Sequence, residues 1–228
     1  DPLIRAVRNQ IGKGADVIKI YADYRWGLMG EARPTFLIDE IKLIVETAQS
    51  SGRPVIAHAG SVEGMRRAIL GGCETLEHGD AGTPEIFALM KEKGVALCPT
   101  LAAGDAITQY RGWKKGIEPE PERIKNKRKT FKEALDAGVT ICFGGDVGVF
   151  THGDNAREME MMVDYGMKPL DVLRSATSVN ARVFHQEQLG QIKTGFLADL
   201  VAVEGRPDLR ISDVRNVKLV IKNGEIQH

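Results

Sequence analysis

Short β-branched or apolar runs alternate with amphipathic stretches of helical period along most of this chain. The runs are VIKIY (17–21), PVIAHA (54–59), ETLEHG (74–79), VALCPT (95–100) and VTICFGGD (139–146). Alternation of this kind builds βα units around a parallel sheet. The runs are almost continuously hydrophobic, the pattern of strands covered on both faces. The stretches between them are punctuated as helices. Thr83-Pro84-Glu85 supplies an N-cap, a first-turn proline and a first-turn acid, and Ser61 can cap the segment holding Met65, Ala68 and Ile69. Gly52, Gly71-Gly72, Gly94 and Gly138 stand just ahead of runs, where a helix needs a C-cap. Leu3, Ile4, Val7 and Ile11 give the opening residues a helical stripe.

Two segments fall outside this grammar. Between Leu101 and a helix starting near Pro121, AAGDAITQYRGWKKGIEPEPE reads as one long loop, and a loop of that length is usually functional, often a lid. From about residue 186 the pattern becomes compact β structure: QIKTG, LADLVAVEG and VRNVKLVIKNGEI, with Asn223-Gly224 as a two-residue turn. The expected division is therefore a βα portion over 1–185 and a small β appendage over 186–228.

Composition narrows the function. With 31 Lys and Arg against 31 Asp and Glu, no excess of positive charge points to nucleic acid or an anionic membrane. A small-molecule substrate is the expectation. Cys73, Cys98 and Cys142 are an odd count without a CxxC pair, which favours buried fillers over a disulfide framework or thiolate zinc site. No run of about 18 apolar residues is present, and the opening DPLIRAVRNQ lacks the charged-then-apolar order of a signal peptide.

In a barrel enzyme the active site is built at the C-terminal ends of the strands, so polar residues there carry the information. Lys19, His58, His78, Thr100 and Asp146 hold such positions. One His after an apolar run is usually a surface or core residue, but VIAHAG and TLEHGD both end this way, and two imidazoles at adjacent strand ends can converge on one metal ion. Asp146 follows Gly144-Gly145, which permits close approach of backbone or ligand; the plainer alternative is an N-cap for the next helix. Lys19 is expected to be buried in an apolar strand, where lysine needs a function or a salt bridge. His152 is a substrate or transition-state contact on one reading; on the other it is exposed, with Asn155 capping the following helix. Tyr21, Tyr110 and Arg111 are pocket candidates, an Arg fork suiting a carboxylate, against loop packing as the alternative.

Lys19, His58, His78 and Asp146 in this order, together with FGGDVGVFTHGDNAREMEMMVDYGM, SATSVNARVF and LGQIKTGFLADLVAV, resemble the amidohydrolase superfamily. The similarity is closest to its imidazolonepropionase-like and prolidase-like (Xaa-Pro dipeptidase) branch. It implies an α/β fold, a TIM-like (β/α) barrel portion followed by part of a β-sandwich. It also implies a hydrolase cleaving an amide or peptide C–N bond, in a dipeptide or N-acyl amino acid, through metal-activated hydroxide. Lys19 would be carboxylated and bridge two divalent ions, zinc being the expected metal. His58 and His78 would bind the second ion, and Asp146 would bind the first and relay a proton to the leaving amine.

The chain departs from that pattern in one respect. Members carry a His-x-His pair at the end of the first barrel strand, and no His precedes His58 here. About five strands can be counted, whereas a closed barrel has eight and about 250 residues. The expectation is the C-terminal portion of a longer polypeptide, or a chain completed by a second one; a homo-oligomer is compatible with either. The alternatives are an assembly subunit without activity of its own and a non-hydrolytic binding protein on the same fold.

Overall fold

The computed structural model describes residues 1–227; His228, to which the sequence assigns no role, lies outside them. The chain divides into two compact units, one comprising Asp1–Pro99 with Lys129–Ile141, the other Thr100–Arg128 with the chain from Cys142 onward.

The first unit runs α1 (Pro2–Gly12), β1 (Ile18–Tyr21), β2 (Asp23–Tyr24), β3 (Arg33–Pro34), α2 (Ile38–Gln49), β4 (Val55–Ala59), α3 (Val62–Gly71), β5 (Thr75–His78), α4 (Pro84–Lys93) and β6 (Ala96–Cys98). Four strands form one parallel sheet in the order β1-β4-β5-β6, as the βα alternation requires. The helix signals act as expected. Thr83 and Ser61 accept from the backbone N–H of Ile86 and Gly64, and Gly72 and Gly94 close α3 and α4 in the left-handed conformation. Ile18, Ile20, Val55, Ala57, Leu76 and Leu97 are buried, as are Ile41, Met65, Phe87 and Met90 of α2, α3 and α4. A methyl group at Gly71 would stand 2.2 Å from Ile41 Cγ2, so α2 and α3 meet at a glycine.

Two expectations for this unit are corrected. Lys19 is exposed rather than buried, because β1 alternates buried and exposed residues and its Lys19–Tyr21 face is uncovered. Its run is apolar at Ile18 and Ile20, which face the core. The fifth run, VTICFGGD, does not form a strand. Ile141 makes a single parallel bridge to Leu97, and residues 142–146 belong to no strand.

The second unit begins with α5 (Leu101–Tyr110). α6 (Glu122–Asp136) belongs to it up to Arg128, and α7 (Ala156–Asp164), α8 (Pro169–Arg174), a π-helical turn (Ser175–Val179) and α9 (Asn180–Val183) follow. The segment expected as one long loop is thus helical over its first half. Beyond Leu101 its buried face is made of small or polar residues, Ala102, Ala103, Asp105, Ala106 and Thr108, which give no apolar stripe. Only residues 111–121 remain a connection. The appendage is an antiparallel sheet of β7 (Leu200–Val203), β8 (Val217–Lys222) and β9 (Glu225–Gln227), with a 3-10 turn at Ile211–Arg215. Asn223 (φ 53°) and Gly224 (φ 81°) form the anticipated two-residue turn, whereas QIKTG is not a strand. Among the described residues no helix is long and apolar enough to cross a membrane.

Candidate functional site

The parallel register places Tyr21 beside His58 and His58 beside Glu77, so these three side chains share one face of the sheet, with Lys19 two residues before Tyr21 on the same face. The Tyr21 ring stacks on His58 with centroids 4.5 Å apart and an interplanar angle of 17°. His58 in turn meets His78 edge to face, again at 4.5 Å. His78 pairs with Ala59 and by strand parity belongs to the opposite face. Its φ of 78° breaks the extended backbone at the strand end, and the imidazole lies against His58 nevertheless. The sheet thus brings together Tyr21, His58 and His78.

Left-handed backbone recurs at the residues singled out for their strand-end positions. Of five non-glycine residues with positive φ among those described, three are His78, Thr100 (49°) and Asp146 (58°). Such conformations cost about 1–3 kcal/mol each and persist where surrounding structure imposes them, commonly at functional sites.

Asp146 belongs to the second unit and is exposed. It caps no helix: the residue preceding α7 is Asn155, whose side chain makes no capping hydrogen bond. His152 is also exposed, and its Nε2 lies 3.8 Å from where a Cβ at Gly148 would stand. Tyr110 and Arg111 end α5 and are exposed, about 15 Å along the helix from its Thr100 end at 1.5 Å per residue.

The sequence reading passed over four polar residues that hold these positions. Asp23 is buried, and its carboxylate accepts from Gly60 N (3.0 Å), Ser61 N (2.7 Å) and Ser61 Oγ (2.7 Å), with Oδ1 3.7 Å from His58 Nε2. It straps the loop that follows His58 to the end of β1. Glu77, buried on the His58 face, accepts from Thr75 Oγ1 at 2.8 Å. In the second unit Glu158 is fully buried and accepts from the first backbone N–H groups of α5, Leu101 (2.9 Å) and Ala102 (2.6 Å). Burial pushes its carboxyl up to about 7, opposed by those two N–H groups and by Lys127 and Arg157. Asn180 bonds the backbone of Phe143 through both ends of its side-chain amide. Glu77 lies inside TLEHGD, and Glu158 and Asn180 lie inside stretches quoted for the family resemblance, yet none of the four carries a periodic sign that marks it.

The donor types of His58 and His78 fit a divalent cation, since neutral imidazole is a common ligand. Among the described residues no group of three or more His, Cys, Asp or Glu could hold a metal ion. The two imidazoles supply two of the three protein ligands that catalytic zinc generally uses.

A sequence profile described as the amidohydrolase family matches residues 3–227. Ochratoxinase of Aspergillus niger is 34% identical over 238 residues, an alignment covering 97% of this chain and 48% of that protein. Among solved structures, a Xaa-Pro dipeptidase with methionine bound in its active site superposes with a TM-score of 0.86 at 36% identity, covering 99% of this chain and 58% of the other. The A. niger ochratoxinase structure gives 0.84 at 32% identity, covering 98% and 53%. The chain spans about half the length of the curated relatives it matches.

Proposed function

Since this chain belongs to the amidohydrolase family, we propose that it forms part of a divalent-metal hydrolase cleaving the C–N bond of a dipeptide or N-acyl amino acid. The observation that carries this reading is the edge-to-face pair of His58 and His78 at the ends of adjacent parallel strands. The relatives support the bond type: one is named a Xaa-Pro dipeptidase and another an ochratoxinase.

In this reading His58 and His78 are nitrogen donors and Lys19, as its carbamate, an oxygen donor, while Asp146 is both donor and proton carrier. Zinc is the proposed ion, two in the complete site. A divalent ion, when bound, acidifies water and polarises the scissile carbonyl. Asp146 takes a proton from the attacking water on a carboxylate oxygen and returns it to the leaving nitrogen as the C–O bond forms and the C–N bond breaks. The Tyr21 ring, flat on His58, limits the rotation of that imidazole and borders the space a substrate enters. His152, Tyr110 and Arg111 are proposed substrate contacts, Arg111 toward a carboxylate.

The test uses the protein at its native length, assayed on Xaa-Pro dipeptides and N-acyl amino acids before and after loading with Zn2+. We expect D146N to lower turnover about 10³-fold with most metal retained, and H58A to lower metal content. Unchanged turnover in D146N, or full metal occupancy in H58A, would overturn the role given to that residue. A second reading, a barrel piece active only as a scaffold, draws on the absence of a three-donor cluster among the described residues; a protein that folds without binding any metal would establish it.

A further inference from the structure

Asp146 is the one proposed donor that does not stand on a paired strand. After the bridge at Ile141, residues 142–146 belong to no strand. Phe143, in the middle of this segment, is bonded through both of its backbone groups. The Phe143 N–H donates to Asn180 Oδ1 at 2.9 Å, and Asn180 Nδ2 donates to the Phe143 carbonyl at 2.8 Å. A primary amide has the donor and acceptor spacing of a peptide group, so one side chain reproduces the two-bond exchange that a neighbouring strand would make.

Asn180 is itself held in an unusual way. It follows directly on the π-helical turn Ser175–Val179, and π-turns are rare insertions that shift the phase of the residues after them. The turn is backed by Gly190, where φ is 78° and an added Cβ would stand 2.6 Å from the Thr177 carbonyl oxygen. Further along the segment, Gly145 is closely walled: a Cβ there would lie 3.0 Å from Phe150 Cζ, tight enough that the ring must shift by a few tenths of an ångström, and 3.4 Å from Glu158 Cβ. The backbone is therefore pinned at Phe143 and walled at Gly145 immediately before Asp146 takes its left-handed φ.

We infer that Asn180 is the positioning residue for Asp146, fixing through the Phe143 backbone where the Asp146 carboxylate stands. The inference rests on the proton-carrying role proposed above for Asp146. Asn180 touches neither substrate nor metal in this account and acts only through the Phe143 backbone.

The test compares N180A, N180D and D146N in the protein at its native length, using the Xaa-Pro dipeptide or N-acyl amino acid that the wild type turns over fastest, with amide hydrogen exchange over residues 143–146 measured in parallel on metal-free protein. N180A removes both bonds. N180D keeps the shape and the acceptor but sets an oxygen against the Phe143 carbonyl, so it tests the donor alone if N180A folds poorly. Both are expected to lower kcat about 100-fold, as for a displacement of about 1 Å at a reacting group. KM should stay within about threefold, and exchange over 143–146 should rise. A kcat per folded molecule within twofold of wild type in both variants overturns the inference, whatever happens to thermal stability. If D146N is inactive while N180A and N180D are not, only this inference falls. If D146N is fully active, or the wild type cleaves none of the probes, the reading of Asp146 falls and this inference with it.

Discussion

The His-bearing strands and the Asp146 segment solve the same problem with different materials. His58 rides on β4, paired in parallel with β1 on one side and β5 on the other, so its position follows from ladders of backbone bonds. Asp146 ends a segment that belongs to no strand, fixed by the Asn180 amide and the walls of Phe150 and Glu158. A ladder distributes its support over many backbone groups that substitution leaves untouched. A side-chain support is concentrated and can be removed by one codon change. The consequence is that the two regions should respond differently to single substitutions.

Glu158 offers the largest such effect. E158L removes the acceptor for two buried N–H groups, Leu101 and Ala102. Two buried donors left unsatisfied cost about 2–6 kcal/mol together, which chemical denaturation can measure directly. A loss below about 1 kcal/mol would show that the segment is not supported here. The same carboxylate gives a pH signature. Its folded pKa is raised to about 7 by burial, above an unfolded value near 4.5. Between those values the folded state binds the proton and the unfolded state does not. Stability is therefore greatest below about pH 4.5 and falls as pH rises toward 7, by about 3 kcal/mol from this group. E158Q should flatten that slope.

The ladder side has one comparable strap, and it should matter less. D23A leaves Gly60 N, Ser61 N and Ser61 Oγ without their acceptor, at a cost of about 2–3 kcal/mol. Because β4 stays paired on both sides, the His58–His78 contact should survive, visible as a retained NOE between the two imidazoles in the folded protein. Loss of that contact in D23A would mean that the strap, not the ladder, sets the His58 position.

The same contrast explains what could be read from sequence. Ladder-borne features were legible: VIKIY, PVIAHA, ETLEHG and VALCPT became β1, β4, β5 and β6, because sustained apolar runs have few other uses. Features made by one distant side chain were not. α5 was hidden because its buried face is Ala and polar residues, and because its N-terminus is capped by Glu158, 57 positions away. VTICFGGD looked like a strand, but beyond Ile141 its Phe143 backbone bonds an Asn side chain, which no run of apolar residues announces. Lys19 was expected inside because its neighbours are apolar; they face the core while Lys19 and Tyr21 face the other way. His58, His78 and Asp146 were singled out by their place after a run, and the strained φ of two of them could be known only from the backbone.

That strain gives the smallest and most discriminating test. At a left-handed φ an L-residue pays about 1–2 kcal/mol that glycine does not, offset by the extra freedom glycine loses on folding, about 0.5–1 kcal/mol. At Asp146 (φ 58°) and His78 (φ 78°), glycine should therefore be the better truncation, with D146G and H78G each more stable than D146A and H78A by about 0.5–1 kcal/mol. His58 stands in a regular strand and outside the set of positive-φ residues, so the order should invert, H58A exceeding H58G by about the same margin. Measured as paired melting curves, each difference cancels the loss of the side chain itself and reports the backbone alone. An alanine preference at Asp146 would mean that the segment relaxes to an ordinary conformation once the carboxylate is gone. The Asn180 clamp and the Gly145 wall would then not be what imposes the turn.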